Sequence, residues 1–157
     1  RIIDRPERIQ GDFVSMNDII AYDLSVTEGE YYIQTHSTNP LIKSTTISDA
    51  INEFENSLGQ IDSLFSVTRH QTRLYWKDGQ PINHNSGELL RTQDLPAVYE
   101  ENSNFYIFTR DSFSIANNQR IGLRAAMFEV NKLEAIDIDE TDDFNLAELM
   151  YKQRLKN

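Results

Sequence analysis

Apolar residues in the first half of the chain predict alternating helices and strands. Five of them recur at the spacing of a helix that buries one face, namely Ile47, Ala50, Ile51, Phe54 and Leu58. Residues 31–33 and 62–67 are short apolar runs on either side of that helix, and such runs are typical of buried strands. Helices that alternate with strands indicate an α/β fold with a mostly parallel sheet. The side chains expected in the core are Ile33, Ile51, Phe54, Phe65, Val67, Ile107, Ile136 and Ile138.

Polar residues predict where the helices begin and end. Ser15 begins a helix, because a serine side chain accepts a hydrogen bond from the first turn. Ser44 or Thr45 caps the helix that follows the first strand, and Gly59 ends it. Residues 103–108 are rich in aromatic side chains and predict a further strand.

Residues 69–77 differ from these runs, because they mix basic and aromatic side chains. An Asp78-Gly79 pair follows, and this dipeptide favours a tight turn. The pattern predicts a hairpin arm with a solvated basic edge.

The stretch from residue 134 to residue 144 reads as a short strand that stops at a helix start. Side chains alternate along a strand, so Asp137 and Asp139 share one face, with Cα atoms about 6.6 Å apart. Two carboxylates on one face repel each other, and a divalent cation relieves that repulsion. We therefore expect a metal site here, followed by a helix that Thr141 caps.

Two other interpretations of these acidic residues stay open. They can form a solvated turn in which Asp142 and Asp143 suit the dipole at a helix N-terminus. They can also form a calcium loop that starts at Asp137 and has Glu148 at its twelfth position. Asp142 stands where such a loop needs glycine for its sharp turn, which argues against the calcium loop.

Composition narrows the classes of protein that the chain can belong to. The 157 residues are enough for one domain, and the net charge of −10 argues against a nucleic-acid groove. The absence of cysteine excludes disulfides, thiolate zinc sites and cysteine nucleophiles. No apolar run approaches the roughly 20 residues of a membrane span, and no signal peptide is visible, so a cytoplasmic location without membrane attachment is expected. Because the chain does not start with Met, it is expected to begin inside a larger domain.

Four segments occur in an order that is known from one enzyme family. They are Arg5-Pro6 before the helix at Ser15, the loop from Gln34 to Leu41, the run Arg-Thr-Gln-Asp-Leu-Pro at 91–96 with Asn102 and Tyr106 after it, and Ile-Asp-Ile-Asp at 136–139. Together they resemble the motifs of the acylneuraminate cytidylyltransferases, the CMP–sialic acid synthetases and their relatives.

The resemblance implies a three-layer, Rossmann-like nucleotidyltransferase fold with a mostly parallel mixed sheet. Residues 1–157 would form a single domain, the C-terminal two-thirds of a family member. The implied reaction transfers CMP from CTP to an acidic 2-keto sugar and releases pyrophosphate. The sugar is sialic acid or a relative such as legionaminic or pseudaminic acid, and Mg²⁺ or Mn²⁺ is the expected cofactor.

The same resemblance assigns roles to eight residues of this chain. Asp137 and Asp139 would hold the metal and carry the catalysis, and Arg5 and Ser15 would lie beside the nucleotide. The residues expected to bind the sugar are Gln34, Arg91, Asn102 and Tyr106. Ser15 is equally well explained as a helix cap.

Residues 73–102 are expected to form a dimerisation insertion, because this region often reaches a second subunit in the family. Leu74, Tyr75 and Trp76 would then anchor a homodimer, since aromatic residues are enriched in such contacts. The alternative is a monomer in which these side chains fold back on their own core.

The chain departs from the family in ways that leave other functions open. It lacks the Gly-rich basic loop that binds the nucleotide, and Thr92, Glu100 and Ser103 replace two basic residues and a glycine that many members have. A nucleotidyltransferase for another base or sugar, of the Kdo type or dependent on GTP, is one alternative. A non-catalytic binding or dimerisation module is another, and this chain alone is expected to be inactive if it lacks the nucleotide loop.

Overall fold

The computed structural model describes residues 2–156. Its helices and strands follow in the order α1 (Met16–Val26), β1 (Tyr31–Thr35), α2 (Ser44–Asn56), β2 (Ser63–His70), β3 (Val98–Thr109), α3 (Arg110–Ile115), β4 (Ala125–Glu129) and α4 (Thr141–Arg154). Short 3-10 turns occur at Glu7–Ile9 and Thr92–Asp94. Within residues 2–156, none of the helices has the length and apolar character needed to cross a membrane.

The four strands form one mixed sheet in the order β1-β3-β2-β4. Strand β1 is antiparallel to β3. Strands β2 and β4 run in the same direction, because Asp62 N–H donates to Arg124 O and Val130 N–H donates to Val67 O. The predicted α/β class with a mixed sheet is therefore confirmed.

Backbone contacts divide the described residues into two compact units. One unit comprises residues 2–35, Ile47–Phe65 and Phe105–Met127. The other comprises His36–Thr46, Ser66–Asn104 and residues 128–156.

In the first unit, apolar side chains pack on both faces of its part of the sheet. Tyr32 of β1 packs against an apolar cluster that includes Ile20 of α1, whereas the ring of Tyr31 meets that of Phe54 of α2 at 5.9 Å. Adjacent strand residues point to opposite faces, so α1 and α2 cover opposite faces of the sheet. This arrangement gives the unit the three layers that the resemblance implies.

The core of the second unit is built from side chains of loops, strands and α4. Its buried apolar residues are Leu41, Val67, Leu95, Val130 and Ala147. Ala147 is the only described residue of α4 that is fully buried, so most of this helix faces solvent.

Three of the eight predicted core residues are fully buried, namely Phe54, Val67 and Ile107. Ile33 is 40% exposed, because β1 lies at the edge of the sheet. The prediction of burial was also too strong for four half-buried side chains, which are Ile51, Phe65, Ile136 and Ile138.

The strand predicted at Asp137 and Asp139 is wrong. Residues 135–138 have no regular secondary structure, although Ile138 N–H donates to Thr38 O at 2.9 Å. A turn follows β4, in which the carbonyl of Asn131 accepts from the N–H groups of Glu134 and Ala135. This turn separates the two aspartates from β4, which ends at Glu129.

The predicted helix starts are largely right, but two of the predicted caps are wrong. Ser15 caps α1 by accepting from Asn17 N–H at 3.2 Å. Ser44 and Thr45 lie inside the first turn of α2 and do not precede it. Helix α4 starts at Thr141, so Glu140 is its cap residue, and Asp143 accepts from the N–H of Glu140 at 2.9 Å.

Candidate functional site

Two residues predicted to bind the sugar are direct neighbours in the sheet. Gln34 of β1 and Tyr106 of β3 are cross-strand partners, so their side chains lie on the same face. Arg120 joins them, because its guanidinium donates to Gln34 Oε1 at 3.0 Å and to the Tyr106 hydroxyl oxygen at 3.0 Å. The guanidinium carbon also lies 3.7 Å from the centre of the Tyr106 ring, a cation–π contact.

The loop after α3 positions Arg120. Asn117 and Asn118 adopt φ angles of 56° and 60°, a left-handed conformation that asparagine tolerates better than most residues. Asn118 N–H donates to Phe113 O at 2.9 Å, which closes the end of α3. Ile121 packs against the apolar cluster of the first unit, so the residue next to Arg120 is anchored. Sequence reasoning missed Arg120, because an arginine in a polar loop carries no motif.

Ser15 lies beside Arg120. A cavity of about 190 Å³ is lined by Ser15, Asn17, Arg120 and Ile121, among others. Ser15 Oγ is engaged as the cap of α1. The structure therefore shows the capping role directly and also places Ser15 at the edge of a small cavity.

Asp137 and Asp139 differ in their surroundings. Asp137 is half-buried, and its Oδ1 atom is buried with no hydrogen-bond partner among residues 2–156. Asp139 is exposed, and its backbone N–H donates to Asp143 at 3.2 Å. A carboxylate oxygen that is shielded from water and has no hydrogen-bond partner is a suitable ligand for a hard cation.

The loop beside this segment offers a second oxygen of the same kind. Asn39 is buried, its Nδ2 donates to Ile136 O at 3.5 Å, and its Oδ1 has no partner among the described residues. Amide oxygens and carboxylates are both ligands of hard cations. Sequence reasoning placed Asn39 in a polar loop without assigning it a role.

The donor set near Asp137 fits Mg²⁺ better than Ca²⁺. The part of the chain that the structure describes contains no cluster of three or more His, Cys, Asp or Glu residues suited to a metal. Mg²⁺ commonly takes one or two protein carboxylates and completes its shell with phosphate oxygens and water. The calcium-loop interpretation is wrong, because α4 begins at Thr141 and so occupies most of the stretch up to Glu148 that the loop would need.

Glu134 ties the segment before Asp137 to the start of α2. Its buried carboxylate accepts from Lys43 Nζ at 2.7 Å, from Lys43 N–H at 3.1 Å and from Thr46 Oγ1 at 2.6 Å. Burial raises the pKa of Glu134, but the hydrogen bonds from Lys43 and Thr46 and the charge of Lys43 together outweigh it and leave the pKa lowered. No sequence motif marked this carboxylate.

Three other predicted site residues have local partners. The guanidinium of Arg91, whose side chain is 73% exposed, pairs with Asp94 through bonds of 2.7 Å and 3.2 Å. Asn102 is half-buried and donates to Thr68 Oγ1 at 3.0 Å. Arg5 is exposed, and its carbonyl accepts from the side chain of Gln10.

The predicted arm contains the expected turn. Gly79 has a φ of +86°, and Trp76 N–H donates to Gln80 O at 2.8 Å, so the chain reverses at Asp78-Gly79. Tyr75 packs edge-on against His84 at 4.8 Å and stays 53% exposed, and Trp76 is 63% exposed.

Comparison with known proteins gives a family match and two relatives. The family described as cytidylyltransferase matches residues 4–155. The chain is similar to the post-translational flagellin modification protein B of Campylobacter coli, with 28% identity over 127 residues, which cover 78% of this chain and 53% of the relative. It is also similar to the CMP-N,N'-diacetyllegionaminic acid synthase of Campylobacter jejuni subsp. jejuni, with 28% identity over 81 residues, which cover 52% of this chain and 33% of the relative.

The chain thus spans about half the length, or less, of these two curated relatives. The family match, in contrast, extends over nearly all of the described residues and includes every residue for which a role was predicted. The chain belongs to the cytidylyltransferase family.

Proposed function

We propose that the protein containing this chain transfers CMP from CTP to an acidic 2-keto sugar and releases pyrophosphate. One observation carries the proposal beyond family membership: Gln34 and Tyr106, which separate motifs assign to the sugar, are cross-strand partners held by a single arginine. Residues that are far apart in sequence and meet on one face of a sheet are suited to line a common pocket.

Legionaminic acid is the sugar that we favour within this class. The support comes from a relative whose name specifies a CMP-N,N'-diacetyllegionaminic acid synthase. Thr92 and Glu100 stand where many sialic acid enzymes have basic residues, which is consistent with an altered pocket. Arg91 would serve the sugar carboxylate if it exchanged its bond to Asp94 for one to the ligand.

The other predicted site residues are assigned to the sugar, the nucleotide or the metal ion. Gln34, Asn102 and Tyr106 would orient the sugar by hydrogen bonds, and Arg5 and Ser15 would lie beside the nucleotide. Asp137 and Asp139 would hold Mg²⁺ or Mn²⁺, a role that the unpaired Oδ1 of Asp137 supports. A bound ion of this kind supplies charge neutralisation at the reacting phosphates. A homodimer through residues 73–102 and a cytoplasmic location stay predictions.

The test is a transfer assay with the full-length protein, CTP and N,N'-diacetyllegionaminic acid, in which Mg²⁺ is titrated. Asp137→Asn and Asp139→Asn keep the side-chain shape but each removes one ligand charge. We expect each change to lower kcat about 100-fold or more, because charge stabilisation acts most strongly in the transition state. Glu148→Gln is the matched control: Glu148 is an exposed carboxylate paired with Lys152 at 2.9 Å, so its kcat should stay unchanged.

The outcomes separate the parts of the proposal. Normal turnover in both aspartate variants would remove the metal site. A wild-type protein that makes CMP-sugar from sialic acid but not from legionaminic acid would correct the sugar alone. Failure to transfer CMP to any acidic sugar would reject the function.

A further inference from the structure

A cavity of about 270 Å³ lies between the end of α4, the turn that follows β4 and the loop that precedes α2. All of its lining residues belong to the second compact unit. None of them is among the residues predicted to bind the sugar, the nucleotide or the metal ion. The volume is just below the roughly 300–1,000 Å³ of typical small-molecule sites, so the cavity suits a small ligand.

The wall of this cavity has an apolar part and a charged part. Leu41, Leu133 and Met150 contribute the apolar part. Lys43 and Arg154 contribute two cations. A ligand that fills the cavity would therefore need an apolar body and a negatively charged group.

Only one of the two cations has its charge balanced by a neighbour. Lys43 Nζ donates to the buried carboxylate of Glu134 at 2.7 Å. The guanidinium of Arg154 instead donates through Nη1 to the backbone carbonyl of Leu41 at 2.9 Å, and no carboxylate among residues 2–156 pairs with it. One positive charge is thus unbalanced at the cavity, in a chain whose net charge is −10.

We propose that this cavity is a binding site for a small monocarboxylate with an apolar body. A guanidinium presents parallel N–H groups that match the two oxygens of a carboxylate. Because one positive charge is unbalanced, a single negative charge neutralises the site, whereas a dianion would bring an unpaired charge close to Glu134. The site goes beyond the proposed transfer of CMP, so its test needs neither CTP nor sugar, and a failed transfer assay would not affect it.

A purely structural role for Arg154 is the competing explanation. Its bond to the Leu41 carbonyl could simply attach the end of α4 to the loop before α2. Replacement of Arg154 would then lower the unfolding temperature, and the wild type would bind no carboxylate at this place. A binding role predicts saturable binding of a carboxylate that depends on the guanidinium.

The experiment titrates octanoate into the full-length protein at pH 8 by isothermal calorimetry, with octan-1-ol as the uncharged comparison. Octanoate should bind about 10-fold more tightly than octanol, because only its carboxylate can pair with Arg154. Arg154→Met should weaken octanoate binding about 10-fold, while octanol binding stays within about twofold. Arg154→Lys should recover part of the loss, because an ammonium group keeps the charge but lacks the parallel N–H groups.

Lys152→Met is the matched control, because Lys152 is a cation of the same helix that pairs with Glu148 at 2.9 Å and does not line the cavity. It should leave the affinity for octanoate unchanged. Met150→Ala removes part of the apolar wall and should weaken octanoate and octanol alike, by about fivefold. Octyl phosphate, which is mostly a dianion at pH 8, should bind more weakly than octanoate.

A wild-type protein that binds no octanoate, or that binds octanoate and octanol equally, would overturn the carboxylate site without any variant. An octanoate affinity that Arg154→Met leaves unchanged, or that Lys152→Met lowers as much, would overturn the assignment to this cavity. Unchanged binding of both probes to Met150→Ala would do the same if Arg154→Met does not fold. Tighter binding of octyl phosphate than of octanoate would overturn the choice of a monocarboxylate.

Discussion

Glu134 is a buried carboxylate whose charge is stabilised by three hydrogen bonds from Lys43 and Thr46. Its side chain connects the residues before Asp137 to the first turn of α2. A buried charge is costly unless it is paired, so this group stabilises the fold only while it is ionised. The lowered pKa of Glu134 makes that dependence measurable.

We predict that Glu134→Gln lowers the free energy of unfolding at pH 7 by about 2 kcal/mol, because an amide cannot replace the charge-assisted bonds to Lys43. The pKa of Glu134 is lower in the folded chain, so its contribution is present at neutral pH. It is lost as the pH falls through the folded pKa, below the usual value of about 4.3. Urea unfolding at pH 7, 5 and 3.5 should therefore show a smaller loss with acid in the variant than in the wild type.

Glu53→Gln provides the control for this experiment, because Glu53 is an exposed carboxylate on α2. Its variant should follow the wild type at each pH. If the free energies of unfolding of the Glu134→Gln variant and the wild type fell equally with decreasing pH, Glu134 would not be the group that makes the stability depend on pH.

Sequence reasoning found some site residues and missed others for a physical reason. Gln34 and Tyr106 lie in motifs, whereas Arg120 and Glu134 become meaningful only through their bonded partners. The strand register that brings Gln34 opposite Tyr106 depends on pairing between distant parts of the chain. The hydrophobic pattern selects which face of a strand is buried, but without a connecting hairpin turn it does not fix which residues of distant strands lie opposite each other.

Strand β3 contains a residue with an unusual backbone conformation. Ser103 has a φ of 56°, although the residues around it are extended. A left-handed conformation costs a non-glycine residue about 1 kcal/mol. Glycine adopts a positive φ without this cost, which explains why many members of the family have glycine at this position.

We predict that the Ser103→Gly variant has a free energy of unfolding about 1 kcal/mol higher than the Ser103→Ala variant, because both lack the serine hydroxyl and only glycine adopts a positive φ without a steric cost. Chemical denaturation measures the change. Ser114→Gly is the matched control, since Ser114 is exposed within α3, where glycine should destabilise by about 1 kcal/mol. A Ser103→Gly variant no more stable than Ser103→Ala would mean that the positive φ of residue 103 carries no steric cost.

The start of helix α3 follows from a short sequence pattern. Thr109 Oγ1 accepts from Ser112 N–H at 2.9 Å, and Ser112 Oγ accepts from Thr109 N–H at 3.0 Å. This reciprocal pair is a capping box in which serine replaces the usual Glu or Gln. The strand predicted at Asp137 shows the opposite case, because alternating side chains fit any extended segment and a strand also needs a partner.

The period of the apolar residues predicts the fold class of the chain. That period identified α2, β1 and β2 and the α/β class, because each element buries one face or a whole run. The exposed fraction of each residue is harder to predict. Ile33 and Ile107 are both isoleucines and lie opposite each other, yet Ile33 is 40% exposed and Ile107 is buried. The exposure of Ile33 follows from the position of β1 at the edge of the sheet.

Several large apolar side chains of the predicted arm are exposed. Tyr75, Trp76, Ile82, Leu89 and Leu90 are all exposed, and Leu89 is 94% exposed. The monomer alternative expects Trp76 to pack on its own core, but the Trp76 side chain is 63% exposed. A group of large apolar side chains in contact with water is typical of a protein–protein interface.

We predict that the protein forms a homodimer through residues 73–102 and that Trp76 is one of its anchors. This chain, with a mass of 18.2 kDa, should sediment at twice that mass. Trp76→Ala should weaken association by about 2 kcal/mol, or about 30-fold in Kd, because a buried tryptophan is a typical hot spot. Phe13→Ala is the control, since Phe13 is equally aromatic and fully exposed but lies outside the arm. A monomeric wild-type protein at micromolar concentration, or equal effects of the two substitutions, would reject the arm as the interface.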